Sequence, residues 1–471
     1  MQRHPLQIVL CLLVSAACAE EWTRFRGPNG SGVSIDTGFP TDFGKQKNLH
    51  WRTAVRPGKS SPVLTRNRIF LTAFENGKLF TQCFDRETGK LWWERSVDRL
   101  RVESTEPLNH PAAITPVTDG ENIYSFFMDY GLISYDPEGN IRWKVPLGPF
   151  SNSMGHSSSP ILAGYNIILL IDQTLDSYIA AFDRRNGKIC WKTPRKEIDG
   201  WSTPLLYQAA RAAPLVLTAS SGQLGDYRVD NGKRLWSEAG LSPVIVASPT
   251  LEKDTIFTFG YGFDSMSPFA GQLQKFDKNH DGKLSPDEYG HDPDLIGLGQ
   301  FAGNKDGIVT KETWDERQRL TLAPSSLVAI RIENGPDTPA EAPMRARQLW
   351  KYQKSFIGVV PSPLVYDGAL YLVKNGGLLT SFDAETGKVV KAGRIAGALG
   401  GYSASPVAAE GKLFLASEDG KVTVLKASRD WEVLAINDLG EGCFATPALA
   451  RGHIYVRTTE ALYRFGTVRQ E

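Results

Sequence analysis

FDRETGKLWW, residues 84–93, joins two short apolar runs through a polar turn, with Gly89 in the turn and Trp93 four residues beyond it. The stretch reads as a β-hairpin. Asp85 caps the turn, Gly89 supplies a positive φ, and Trp93 offers a wide apolar face to a neighbouring sheet. YDPEGNIRW (135–143) and FDRRNGKICW (182–191) repeat the pattern, and YRVDNGKRLW (227–236) and FDAETGKVVK (382–391) are worn copies. Gly139, Gly187, Gly232 and Gly387 hold the place of Gly89.

Working outward, each hairpin follows a Ser/Thr-Pro pair that opens an apolar run. The pairs are Ser61-Pro62, Thr115-Pro116, Ser159-Pro160, Thr203-Pro204, Ser248-Pro249, Ser362-Pro363, Ser405-Pro406 and Thr446-Pro447. The steps between their prolines are 54, 44, 44, 45, 114, 43 and 41 residues. In the first copy the unit splits into four strands, SPVLT, RIFLTA, KLFTQCFD and KLWWERS. Four strands per repeat of this length predict a propeller blade, and eight copies predict an all-β, eight-bladed propeller. The last copy stops at ALYRFG (461–466) without a Trp-bearing fourth strand, while NLHWRTAV (48–55) stands alone upstream with Trp51. Pairing these two would close the ring and remove an exposed sheet edge. The ring then spans 48–466, after an extension at 20–47 and before a short tail at 467–471.

Composition agrees with a packed β protein and narrows the function. Apolar residues make up 41 % and charged residues 22 %, and the net charge is +1 over 471 residues. No basic face or arginine run is visible, which argues against nucleic acid as a partner. Residues 1–19 read as a secretory leader. Arg3 and His4 precede LQIVLCLLVSAA, and Ala17-Cys18-Ala19 offers cleavage after Ala19. Lipidation at Cys18 is the alternative, with Ser15 where a lipobox prefers Leu. Either route puts the mature chain in the periplasm or outside the cell. The leader's apolar run is too short to span a bilayer, and no later segment qualifies. Cys83, Cys190 and Cys443 are too few and too far apart for a disulfide framework or thiolate metal site, and are expected to be buried.

The 114-residue step marks an insertion in the fifth blade, at 264–322, between DTIFTFGYG (254–262) and SSLVAIRI (325–332). A surface loop tolerates such an addition at small entropic cost. A second excess is the loop ENGPDTPAEAPMRARQ (333–348). Within the insertion, residues 277–288 match every ligand position of an EF-hand calcium loop. Asp277, Asn279 and Asp281 take positions 1, 3 and 5, and Gly282 the sharp turn at 6. Lys283 offers its carbonyl at 7, Ser285 sits at 9, and Glu288 closes at 12. Hard oxygen donors of this kind favour one Ca²⁺. Leu273 and Phe276 precede the loop at the spacing of a helix face, and Leu284 is placed to pair with a partner loop. That partner, AGNKDGIVTKET (302–313), keeps Asn304, Asp306, Gly307 and Val309 in register. It has Ala302 and Thr313 where acids are needed, so it reads as a structural mate.

The FDxxTGKxxW hairpins, the Ser/Thr-Pro strand starts and the opening WTRFRGPNGSGVS (22–34) resemble secreted bacterial PQQ-like propeller proteins related to BamB. The resemblance covers essentially the whole mature chain. It implies an eight-bladed ring that serves as a non-enzymatic scaffold for protein partners. The same blade builds quinoprotein dehydrogenases, which hold PQQ and Ca²⁺ in the central funnel with a carboxylate base and, in many, a disulfide between adjacent cysteines. This chain has no Cys-Cys pair, and its evident calcium ligands lie on an insertion, so PQQ is not expected.

A funnel site would be lined by residues just ahead of the innermost strands. The candidates are Lys59, Asn109, His110, His156, Trp201, Tyr402 and Cys443, with the two histidines as the acid/base groups near neutral pH. Strand-start histidines are more often satisfied structural groups, and no catalytic set emerges from spacing. The sequence therefore predicts a non-catalytic, calcium-binding scaffold for a protein or small ligand at the propeller face. A PQQ-dependent alcohol or sugar dehydrogenase is the alternative.

Overall fold

The computed structural model describes residues 21–103, 109–152, 154–208, 213–262, 265–290, 306–322, 324–333, 345–354 and 360–468, with 292, 295, 298 and 299. The expected leader with Cys18, and Ala302 and Asn304 of the second loop, lie outside the described residues.

The repeat folds as eight sheets of four antiparallel strands around one axis, with the strands in chain order in blades 1–7. Blade 1 is Val63–Leu64, Arg68–Glu75, Lys78–Asp85 and Leu91–Asp98. The first strands of successive blades touch one another, which places them at the axis. Middle strands such as Ile123–Phe127 and Gly131–Tyr135 are buried along their whole length, because neighbouring blades cover both faces. Outer strands such as Ile141–Pro146 alternate between buried and exposed. Leu49–Ala54 pairs antiparallel with Ala461–Phe465 and supplies the outer strand of blade 8.

Two belts tie each blade to the next. The inner belt explains why every unit begins with Ser or Thr. The backbone N–H of Ser61 donates to Thr115 Oγ1 at 3.0 Å, Thr115 N–H to Ser159 Oγ at 3.2 Å, and Ser159 N–H to Thr203 Oγ1 at 3.0 Å. The chain of bonds continues through Ser248, Ser362 and Ser405 to Thr446. Thr446 N–H then donates to Ser61 Oγ at 3.1 Å, and the circle is complete. The outer belt uses the tryptophans, which pack on the next blade's hairpin. Trp93 Nε1 donates to Pro137 O at 2.9 Å, and its ring fills the space where a Cβ on Gly139 would sit, 2.6 Å away. Trp51, Trp143, Trp191 and Trp350 do the same at Gly89, Gly187, Gly232 and Gly387. In blade 6, Lys391 takes the tryptophan's place and lies over the Trp431 ring of blade 7.

Within the extension, residues 22–34 form a stopper. Trp22 O accepts from Leu64 N–H of blade 1, and Thr23 O from Thr118 N–H of blade 2. Arg24 Nη2 donates to Pro204 O of blade 4 at 2.7 Å, and Arg26 Nη2 to Pro363 O of blade 6 at 2.8 Å. Val33–Ser34 then adds a parallel fifth strand to blade 7. Residues 22–34 thus cross the axis where the inner strands end, called here the lower mouth. Gly27 (φ 63°) makes the tight turn, since a Cβ there would meet the Trp22 ring at 2.4 Å.

The insertion leaves blade 5 between Thr255–Gly260 and Ser326–Ile332, at the upper mouth where inner strands begin. It carries α1 (Phe269–Phe276), α2 (Pro286–Tyr289) and α3 (Lys311–Thr321). Phe269, Leu284, Tyr289, Val309 and Trp314 give it a small core of its own, with Leu273 and Phe276 packed against it. Of the second excess loop, 334–344 lie outside the described residues.

The inner belt is testable at Ser405, which accepts from Ser362 N–H. Ser405→Ala should cost about 1–3 kcal/mol in urea unfolding, because a buried N–H loses its acceptor. Ser405→Thr should be near neutral, as Thr115, Thr203 and Thr446 hold equivalent places.

Candidate functional site

At the upper mouth, burial alternates along the segment leading into each inner strand. The residue two before the Ser/Thr of the belt is partly exposed, and those on either side are buried in nearly every blade. The partly exposed ring is Lys59, Ala113, Ser157 and Trp201 from blades 1–4, then Val246, Val360, Ser403 and Phe444 from blades 5–8. Lys59 lies over the Phe444 ring at 4.5 Å, and Trp201 Nε1 donates to Gly155 O at 2.7 Å. Glu418 places a carboxylate at this rim, where it accepts from Ser403 Oγ.

This alternation divides the expected funnel residues. Lys59 and Trp201 belong to the ring. His156, Tyr402 and Cys443 sit one position earlier and are buried between blades. Asn109 and His110 stand farther out, where Asn109 Nδ2 donates to Met154 O at 2.8 Å and His110 Nδ1 accepts from Ala112 N–H at 3.1 Å. The seven candidates are therefore not one site. Cysteine burial also needs a correction. Cys83 and Cys443 are buried, with thiols pushed up by burial to about 12, whereas Cys190 is exposed. It precedes Trp191 on an outer strand, so it faces out when the tryptophan faces in.

The insertion carries the oxygen donors. Asp277 Oδ2 accepts from Gly282 N–H at 3.1 Å, Asn279 Oδ1 from Asp281 N–H at 2.8 Å, and Asp281 Oδ1 from Lys283 N–H at 2.9 Å. Glu288 reaches across the loop, where its Oε1 accepts from Lys278 and Asn279 N–H and its Oε2 from Ser285 N–H and O–H. These bonds hold the Glu288 carboxyl below its ordinary value, the Ser285 backbone bond first among them. Leu284 and Val309 exchange two backbone bonds of 2.9 Å, which ties the loop to its mate. Asp277 Oδ1 is buried and has no hydrogen-bond partner. Among the described residues no three His, Cys, Asp or Glu side chains close on a common point. The loop's donor set is mixed, with Asn279 and Ser285 side chains and the Lys283 carbonyl among the carboxylates.

The profile of the family described as outer membrane protein assembly factor BamB matches residues 44–164, 81–262 and 345–432, more than half of the chain. The chain belongs to that family. The first two matches overlap, as a repeat does when it fits one profile in more than one register. No curated protein matches the sequence. BamB from Moraxella catarrhalis is similar in structure, with a TM-score of 0.53 at 12 % identity over 88 % of this chain and 100 % of that one. A europium-containing methanol dehydrogenase gives 0.58 at 10 % identity over 95 % and 98 %. The computationally designed Ika8 protein gives 0.52 at 10 % over 88 % and 98 %. At such identities the likeness is one of fold.

Two buried polar features of this BamB-family ring lie beneath the upper mouth. Arg195 binds Asp172 through two nitrogens at 2.6 and 3.1 Å, and also bonds Thr218, Tyr227 and Ser220. Both charges are buried and bonded on every side, so this network pins blade 3 to blade 4. Its partners are spread over three strands, and no local motif could reveal it. His156 is the opposite case. It is buried edge-to-face against Phe150 with neither ring nitrogen bonded. Gln173 lies near enough to offset a little of the burial cost, yet burial pushes the imidazole down to about 4.

His156 makes stability depend on pH. Its folded value lies below the ordinary 6.5, so its contribution is complete above pH 6.5 and is lost as pH falls toward 4. Between pH 7 and 4.5 it should account for about 2 kcal/mol of destabilisation. Urea unfolding of His156→Gln should show a shallower fall over that range. Parallel curves for the two proteins would remove His156 as the cause.

Proposed function

We propose that this protein is a non-catalytic, calcium-binding propeller that acts outside the cytoplasm as a binding scaffold for a protein or small ligand. One observation carries the non-catalytic reading. The eight ring positions at the upper mouth hold one cation, two aromatics, two serines and three small apolar residues, with no carboxylate or imidazole. Such a surface can grip a partner through Trp201, Phe444 and Lys59, and its acid/base groups are limited to Lys59 and the rim carboxylate Glu418, which Ser403 engages. The histidines that could serve are removed from it, with His110 and His156 both pushed down to about 4, chiefly by burial.

The insertion beside this mouth is read as an EF-hand holding one Ca²⁺ through Asp277, Asn279, Asp281, Lys283, Ser285 and Glu288. Support comes from the buried, unpartnered Asp277 Oδ1, which asks for a cation, and from an all-oxygen donor set. Asp306 and Thr313 of the mate loop hold backbone and hydroxyl groups instead, as Asp306 Oδ1 accepts from Ile308 N–H. Burial raises the Asp199 carboxyl, and the charge of Arg317 on α3 offsets part of that rise, which couples the insertion to the rim of blade 4. Calcium bound there would fix a rigid wall next to the binding ring. Millimolar calcium outside the cytoplasm would fill even a modest site. Export would follow from cleavage after Ala19, or from lipidation at Cys18. Among the described residues no helix is long and apolar enough to cross a membrane.

A PQQ-dependent dehydrogenase is the second reading, favoured by the fold shared with the europium-containing methanol dehydrogenase. The ring fits the quinone poorly. Lys59 is its one cation, against the several acid groups of that cofactor, and Glu418 is engaged by Ser403.

Calorimetric titration of calcium should give one site per chain, weakened about a hundredfold or more in Glu288→Gln, which removes a charged ligand. Equal binding in both proteins would place the metal elsewhere. Equilibrium dialysis against PQQ with Ca²⁺, followed by a dye-linked alcohol and sugar assay, should retain no quinone. Retained quinone with dye reduction would establish the dehydrogenase.

A further inference from the structure

The lower mouth holds an arrangement that the scaffold reading does not use. The stopper bonds to blade 2 at Thr23 and to blade 4 at Asn29, where Asn29 and Leu206 exchange bonds of 2.8 and 3.0 Å. Between those anchors it bridges blade 3 and leaves a pocket of about 490 Å³. The floor is aliphatic, from Val117, Leu162, Leu206 and Leu251. The walls carry two cations, Arg24 of the stopper and Lys253 of the blade 5 turn, and no carboxylate.

Arg24 is only 6 % exposed, yet no described acid pairs with it. Its Nη2 donates to Pro204 O, while its Nε is buried without a partner. Arg26 stands near, fully buried, with Nε and Nη1 also unpartnered. Burial pushes both guanidiniums down to about 9, with the Arg24 charge adding to the depression of Arg26, so both stay positive at neutral pH. Lys253 makes no ion pair with any described residue and adds to the same field. A buried guanidinium with unmet donors is strongly unfavourable until an anion joins it. Asp172 and Arg195, by contrast, neutralise each other, and Arg457, which also lacks an acid, gives donors to Ser60, Thr72 and Arg56 oxygens.

We infer that this pocket binds a small organic anion, an acidic group on an apolar body, with the acid held by Arg24 and Lys253 and the body laid on the aliphatic floor. The guanidinium fork suits a carboxylate or a phosphate equally, and the floor excludes a bare inorganic ion as the best ligand. The site lies on the face opposite the insertion, so it stands or falls apart from the calcium loop.

The test is calorimetry on the calcium-loaded full chain with sodium octanoate, neutral 1-octanol and inorganic phosphate as probes. Octanoate should bind one to one, and octanol and phosphate each at least about tenfold more weakly. Lys253→Gln, an exposed substitution, should weaken octanoate about threefold or more. Arg24→Lys keeps the charge but loses the fork, and should weaken octanoate about tenfold. If that variant fails to fold, Lys253→Gln decides alone. No heat from octanoate, equal binding of octanol, equal binding of phosphate, or unchanged affinity in Lys253→Gln would each overturn the proposal.

Discussion

The backbone N–H that precedes each inner proline is the constraint around which the ring is built. It sits near the axis, buried, with no strand partner on that side, because the following proline can offer no N–H of its own to continue a ladder. Each such N–H is met by the hydroxyl of the equivalent residue one blade on, at 2.8–3.2 Å throughout. Only Ser and Thr place an acceptor one bond from Cβ, within reach of the next blade and small enough for the axis. The circuit has no free end. Each hydroxyl is positioned by one neighbour and positions another, so the blades cannot be added or lost singly without exposing an unmet donor.

Closure by the chain termini follows from the same economy of donors. Leu49–Ala54 completes blade 8 from the N-terminal side, and Trp51 then extends the tryptophan belt from blade 8 to blade 1. Having crossed to that seam, the chain upstream of it lies over the lower mouth. Its carbonyls and guanidiniums satisfy inner-strand groups of blades 1, 2, 4 and 6. The two faces of the ring thus differ. The upper mouth stays accessible beside the insertion, and the lower mouth is stoppered.

Features repeated along the chain were legible, and features made by distant residues were not. Gly89, Gly139, Gly187, Gly232 and Gly387 all have φ between 70° and 82°, so a residue type alone announced those hairpins. Trp350 belongs to the same series but was hidden, since a long loop replaces the Asp-turn-Gly ahead of it. The loop at 277–288 could be read as a set of oxygen donors because those donors fall within twelve residues of one another. The funnel was not, because whether a side chain faces the axis turns on a one-residue step. Lys59 and Trp201 fall on the axial parity, and His156, Tyr402 and Cys443 on the other. The stopper was invisible for a different reason. Arg24 and Arg26 look like surface cations until their acceptors, 180 and 337 residues away, are folded beneath them.

Buried arginines separate structure from site in this molecule. Arg195 faces Asp172 with two bonds and gives its remaining donors to hydroxyls, so nothing more can be added to it without loss. Arg457 lacks an acid and its Nε is unpartnered, but its terminal nitrogens bond Ser60 and Thr72 oxygens and the Arg56 carbonyl. These bonds join blade 8 to blade 1. Arg24 differs from both in that its incompleteness coincides with a cavity, a second cation and an apolar floor. Desolvating a charge without compensation weakens the fold, and the charge on Arg24 gains nothing structurally that a neutral donor to Pro204 would not supply. That charge has value only when something negative enters, which makes the stopper a part of the binding surface as well as a seal.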